Sequence, residues 1–244
     1  MLFLKLLIQF KKEESEDMTN KLKEEGEDMK TWDNMIQKNR ENKLKLIKES
    51  KYKYNFENDL KPLQKVKYEF NVSNIAKGWG IKNEAAVLNN LNDGRSVSWW
   101  LEPIVVEYFG MLDNGGDKNE LYDAITKTEK NGVITNLFVG IKSLTSGGLD
   151  LMQSGFKGRG FKNITREQKV EALISSIELC NNHIITDIVD APILYFIPLT
   201  SEELISKFTQ PGCSLAPSRA AFYKMFFGKS LKELIENNEF SFIE

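Results

Sequence analysis

The chain has 244 residues, 41% apolar and 28% charged, with a net charge of −2. That is enough for one large domain or two small lobes with a real core, and any site for a polyanion must be a local patch rather than a global excess. Two cysteines and a single histidine, His183, argue against a disulfide framework, a zinc site or a histidine-based triad.

MLFLKLLIQF, residues 1–10, is apolar but too short to span a membrane, and EESED follows where a cleavage site would stand. It reads as an amphipathic arm that packs against something, such as a neighbouring subunit. Residues 1–50 as a whole read as a charged helical arm. Charge changes sign along it: residues 1–34 hold six lysines and nine acids, whereas residues 35–82 hold twelve Lys/Arg and five acids.

KVKYEFNVSN, residues 65–74, alternates apolar and polar side chains and predicts a strand. EAAVLNNL predicts a short helix, and SWWLEPIVVEYFGML, 98–112, a longer apolar one that tolerates Pro103 near its start. NELYDAITKTEKN, 119–131, reads as a helix that Gly132 ends. VITNLFVGIKSL, 133–144, fits either a buried helix or a strand. NITREQKVEALISSIELCNN predicts a helix capped by Asn163 or Thr165, with an apolar stripe of Val170, Leu173, Ile174 and Ile177. DAPILYFIPLTSEELISKF holds an apolar run between two prolines and then a capping box, Thr200 to Glu203. SRAAFYKMFFGKSLKELIENN predicts a closing amphipathic helix or pair. The expected class is mainly α: two helical lobes, a small β-hairpin and extended terminal arms. The expected divisions are an N-terminal arm at 1–50, lobes at 51–135 and 136–213, and a C-terminal arm at 214–244.

No P-loop, CxxC, HExxH or GxSxG occurs. What stands out is lysine interleaved with aromatic residues and glycine. KLKLIKESKYKYNF, 43–56, offers Lys51 and Lys53 among tyrosines; KVKYEF offers Lys65 and Lys67; GFKGRGFK, 155–162, offers Lys157, Arg159 and Lys162. Basic side chains displace counterions from phosphates, aromatic faces stack on any base, and glycines let the backbone approach a phosphate. The combination suits single-stranded nucleic acid bound without base specificity. Glu57, Glu69 and Lys67 could alternatively serve a metal-dependent nuclease, and a coat or scaffold protein with no preference for nucleic acid is a third reading.

Four stretches taken together resemble the nucleoproteins of segmented negative-strand RNA viruses, the orthobunyavirus type especially: KYEFNVSN, NNLNDGRSVSWWLEPIVVEYF, VGIKSLTSGGLDLMQSGFKGRGFKNITREQK and LAPSRAAFYKMFFGKSL. The resemblance implies two helical lobes that grip single-stranded RNA in the groove between them. Terminal arms would dock on neighbouring protomers, so that a homo-oligomer encapsidates a viral genome in the virion or host cytoplasm. Arg95 matches the arginine at the head of the long helix, Lys157 and Arg159 match the basic loop, and Lys65 and Lys67 are carried over with them as RNA-binding residues. No enzymatic activity, cofactor, metal or membrane span is expected.

Overall fold

The computed structural model describes residues 32–56, 59–78, 80, 82–91, 97–113, 121–152, 156 and 164–242. Helix α1 runs over 32–49. Then come β1 (Val66–Glu69), α2 (Val72–Gly78), α3 (Glu84–Leu91), α4 (Val97–Phe109), β2 (Leu112–Asp113), β3 (Ala124–Lys130), β4 (Val133–Thr145) and β5 (Gly148–Leu149). The second half holds α5 (Arg166–Ile177), β6 (Asn182–Asp187), β7 (Ile193–Thr200), α6 (Ser201–Phe208), α7 (Arg219–Phe227), α8 (Leu231–Glu236) and β8 (Ser241–Phe242).

The expected mainly α, two-lobe fold with extended arms is not what forms. One mixed sheet, curled into a half-barrel, organises the chain, in the order β2-β3-β4-β6-β7-β1-β8 with β5 paired to β4. The reason lies in 119–131, read as a helix. Its second half alternates β-branched and charged residues, and Lys130 pairs with Val133 across a two-residue turn. Asn131 and Gly132 both take positive φ, 53° and 74°, as the tight hairpin turn requires. Asn-Gly is therefore a hairpin signal here and not a helix terminator. VITNLFVGIKSL follows as the partner strand, and the β3–β4 ladder runs from Ala124↔Val139 to Lys130↔Val133.

From β4 the chain crosses through α5 to β6, which lies parallel to β4. A parallel neighbour needs such a crossover, and a helix supplies it. β6 and β7 are antiparallel, β1 adds antiparallel to β7, and β8 adds parallel to β1. Strand alternation then divides two apolar layers. Leu194 and Phe196 of β7, Ile184 of β6, and Val139 and Ile141 of β4 meet Leu101, Val105 and Phe109 of α4. Tyr195, Ile197 and Leu199 of β7 and Ile185 of β6 face the other way, toward Leu173 and Ile177 of α5, Leu204 of α6, Phe222 of α7 and Leu234 of α8.

Both terminal segments, where described, fold onto this core. Trp32 and Ile36 of α1 pack with Phe156, Ile164 and Ala172. Along the same seam Asn39 Nδ2 donates to Ser175 Oγ at 3.2 Å, and Arg40 and Lys43 pair with Glu171 and Glu178 at 2.7 and 3.1 Å. α7 is tied to β6 by charge: Asp187, fully buried, accepts from Arg219 Nε at 2.7 Å and from the Tyr223 hydroxyl at 2.8 Å. The expected capping box of Thr200 with Glu203 forms, and Thr165, one of the two expected caps of α5, makes a second box with Gln168. Among the described residues no helix is long and apolar enough to cross a membrane.

Candidate active site

The residues singled out for nucleic-acid binding separate in the fold. Arg95, Lys157, Arg159 and Lys162 lie outside the described residues, as does Glu57. Lys65 is committed to structure: its Nζ pairs with Glu239 at 3.1 Å and sits 4.8 Å from the centre of the Phe227 ring. Lys67 and Glu69 lie two apart on β1, opposite Tyr195 and Ile193 of β7. Lys51 and Lys53 are exposed just beyond the end of α1.

A different charged group gathers where α4 meets the β2–β3–β4 end of the sheet. Asp123 stands immediately before β3, and its backbone N–H donates to Val139 O at 2.9 Å. The carboxylate reaches across to the next strand. Its Oδ2 accepts from the Ile141 backbone N–H at 2.6 Å and lies 3.5 Å from Lys142 Nζ. Both contacts fall on Oδ2, so Oδ1 carries no hydrogen bond from the described residues. The pair is half-buried, with side chains 23% and 38% exposed for Asp123 and Lys142. Burial works against the Lys142 ammonium, but Asp123, Cys180 and Glu102 outweigh it and the pKa rises, so this lysine stays charged.

Glu102 approaches from α4, one residue along from the buried Leu101. Burial first, and then the Asp123 charge, push its carboxyl up to about 7; Lys142 pulls the other way and Asp113 adds to the rise. Asp113 lies on β2 opposite Ala124, the residue after Asp123. Glu102 is thus close to half-protonated at neutral pH, the condition in which a carboxyl both takes up and gives back a proton.

The floor beneath this group is uncharged. Burial, the largest influence, lowers the His183 pKa to about 4 and raises that of the Cys180 thiol. His183 Nε2 donates to Ile177 O at 2.9 Å, which leaves Nδ1 as a bare lone pair without a partner among the described residues. Gly140 makes room for this ring: a Cβ there would lie 2.7 Å from Nδ1.

Among the described residues no three His, Cys, Asp or Glu side chains are close enough to hold a metal ion by themselves. Two carboxylates and a lysine still suit a hard cation shared with a substrate. Ions of the Mg²⁺ class keep most of their water and take one or two carboxylates plus phosphate oxygens.

Sequence reasoning passed over Glu102, Asp123 and Lys142. Asp123 fell inside a segment read as helix, and Lys142 inside one that fitted either a buried helix or a strand. The available signal was the hairpin itself, which brings positions 123 and 142 together once Asn131-Gly132 is read as its turn. Compared with protein-family models, curated proteins and solved structures, the chain matches none.

Proposed function

We propose that the chain is a divalent-cation-dependent phosphodiesterase acting on nucleic acid, with Glu102, Asp123 and Lys142 as its working side chains. The observation that carries this reading is the Asp123–Lys142 pair on adjacent strands; burial and the Asp123 charge push the Glu102 carboxyl of α4 up to about 7. Hydrolysis of a phosphodiester needs charge opposite the non-bridging oxygens, an acceptor for the proton of the attacking water, and a fixed line of attack. Lys142, kept charged by Asp123, offers a cation to the phosphate. Asp123 Oδ1 and the substrate phosphate would hold the metal, which when bound neutralises phosphate charge and acidifies water. Glu102 takes the proton of the attacking water. The water oxygen bonds to phosphorus, the P–O bond to the leaving oxygen breaks, and that oxygen is protonated from solvent.

The test is incubation with labelled single-stranded DNA, RNA and duplex in Mg²⁺ or Mn²⁺. Asp123→Asn and Lys142→Ala should each lower the cleavage rate by at least about 100-fold without unfolding the protein. No cleavage of any substrate, or equal cleavage by Asp123→Asn, overturns the reading. A second reading, a nucleoprotein that coats single-stranded RNA without cutting it, is favoured by the exposed Lys51 and Lys53 beside Tyr52. It predicts RNA that co-purifies with an oligomer and stays intact in Mg²⁺.

A further inference from the structure

Where α1 ends, its side chains sort by chemistry. Leu46 turns inward, and Tyr54 and Phe56 pack with it against Ile125 and Phe138 of the hairpin. Lys48, Lys51, Tyr52 and Lys53 remain outside. Tyr52 is 67% exposed, a large share for an aromatic ring. The backbone beneath it is fixed. Asn136 Nδ2 of β4 donates to Ser50 O at 3.1 Å and also to Tyr52 O, and Ser50 Oγ donates to Ile47 O at 2.6 Å. The ring therefore stands on a rigid platform rather than a loose loop.

The charges on this platform are available. Lys43 and Lys45 pair with Glu178 and Glu49 at 3.1 and 3.6 Å, whereas Lys48, Lys51 and Lys53 have no acidic partner among the described residues. β3 adds Lys127, whose Nζ lies 5.0 Å from the centre of the Phe56 ring and whose ladder partner is Asn136. Ile125 and Lys127 share one face of β3 by strand alternation, and Asp123 stands just before the strand. Four residues at about 3.3 Å each put Lys127 about 13 Å from Asp123.

The geometry points to this surface as the docking track for a single strand of nucleic acid that runs on toward the Asp123–Lys142 pair. Lys48, Lys51, Lys53 and Lys127 neutralise successive phosphates, and Tyr52 stacks on a base. The direction of the track rests on the phosphodiesterase reading; the binding does not. Aromatic stacking favours a single strand, because a duplex keeps its base faces covered.

The experiment is fluorescence anisotropy with a labelled single-stranded oligonucleotide in EDTA, where no strand is cut, on the full chain. Tyr52→Ala should weaken binding roughly 5- to 150-fold. Changing Lys48, Lys51 and Lys53 together to alanine should make the log–log salt slope shallower by about 2, at ~0.7 per neutralised phosphate. These positions are exposed, so melting curves should hold. If both variants bind like the wild type, the docking track is overturned, whether or not the protein cleaves. If duplex binds as tightly as single strand and Tyr52→Ala changes nothing, the stacking role is overturned. If the variants lose binding while the wild type cuts nothing in Mg²⁺, the track stands and the phosphodiesterase reading falls.

Discussion

His183 shows how a single residue ties the fold to pH. It is only 2% exposed and is held neutral by burial, with its pKa lowered to about 4 from the usual 6.5. Between those values the unfolded chain binds a proton that the folded chain refuses, so stability rises with pH across this window. The contribution is complete above about pH 6.5 and is lost as pH falls toward 4, up to about 3 kcal/mol at ~1.4 kcal/mol per unit. Urea unfolding of the wild type should therefore weaken over pH 6.5 to 4 more steeply than that of His183→Gln, whatever the variant's absolute stability. Equal slopes would mean that the ring is already accessible to protons in the folded state.

At the scale of elements, the β3–β4 hairpin decides both the sheet and the candidate site. Gly132, at φ 74°, is where a side chain is strained. Gly132→Ala should cost about 1–2 kcal/mol in urea unfolding, because a Cβ in the left-handed region meets the following carbonyl. Local signals of this kind were legible along the chain. The capping box of α6 rests on residues three apart and could be read directly, whereas the sequence allows Asn163 or Thr165 as the cap of α5, and Thr165 takes it. The strand at 65–74 showed its alternation, though only Val66–Glu69 pairs, and Val72 already begins a helix. What stayed hidden depends on distant partners. Ala124–Lys130 has enough charge to pass for a helix until Val133–Val139 is laid beside it. Asp123 and Lys142 mean nothing separately, and Lys65, an apparent phosphate ligand, is neutralised by Glu239 from the far end of the chain.

The whole molecule is held around its sheet by one buried charge group as well as by apolar packing. Asp187 at the end of β6 is fully buried, and its carboxylate is satisfied by Arg219 and Tyr223 of α7. Arg219 also pairs with Asp190, which is far more open to solvent. Arg219→Ala should destabilise the protein by about 3–5 kcal/mol, because it strands a buried negative charge. Asp190→Asn should cost less than about 1 kcal/mol, as exposed partners usually do. A thermal melt of the two variants checks this; similar losses would mean that Asp187 finds water once Arg219 is removed.

The parallel seam between β4 and β6 sets an order of assembly. β3–β4 and β6–β7 are each local hairpins, which zip within about 1–10 μs, whereas their shared seam waits for α5 to fold and swing over the sheet. Asp123 and Lys142 both belong to the first hairpin and meet when it closes. Glu102 joins them only when α4 docks on the sheet face. The charge pair can thus exist in a half-folded chain, but the carboxyl whose proton affinity depends on burial acquires it only when the layers close. A chain trapped part-way would carry the Asp123–Lys142 pair without the buried Glu102 carboxyl.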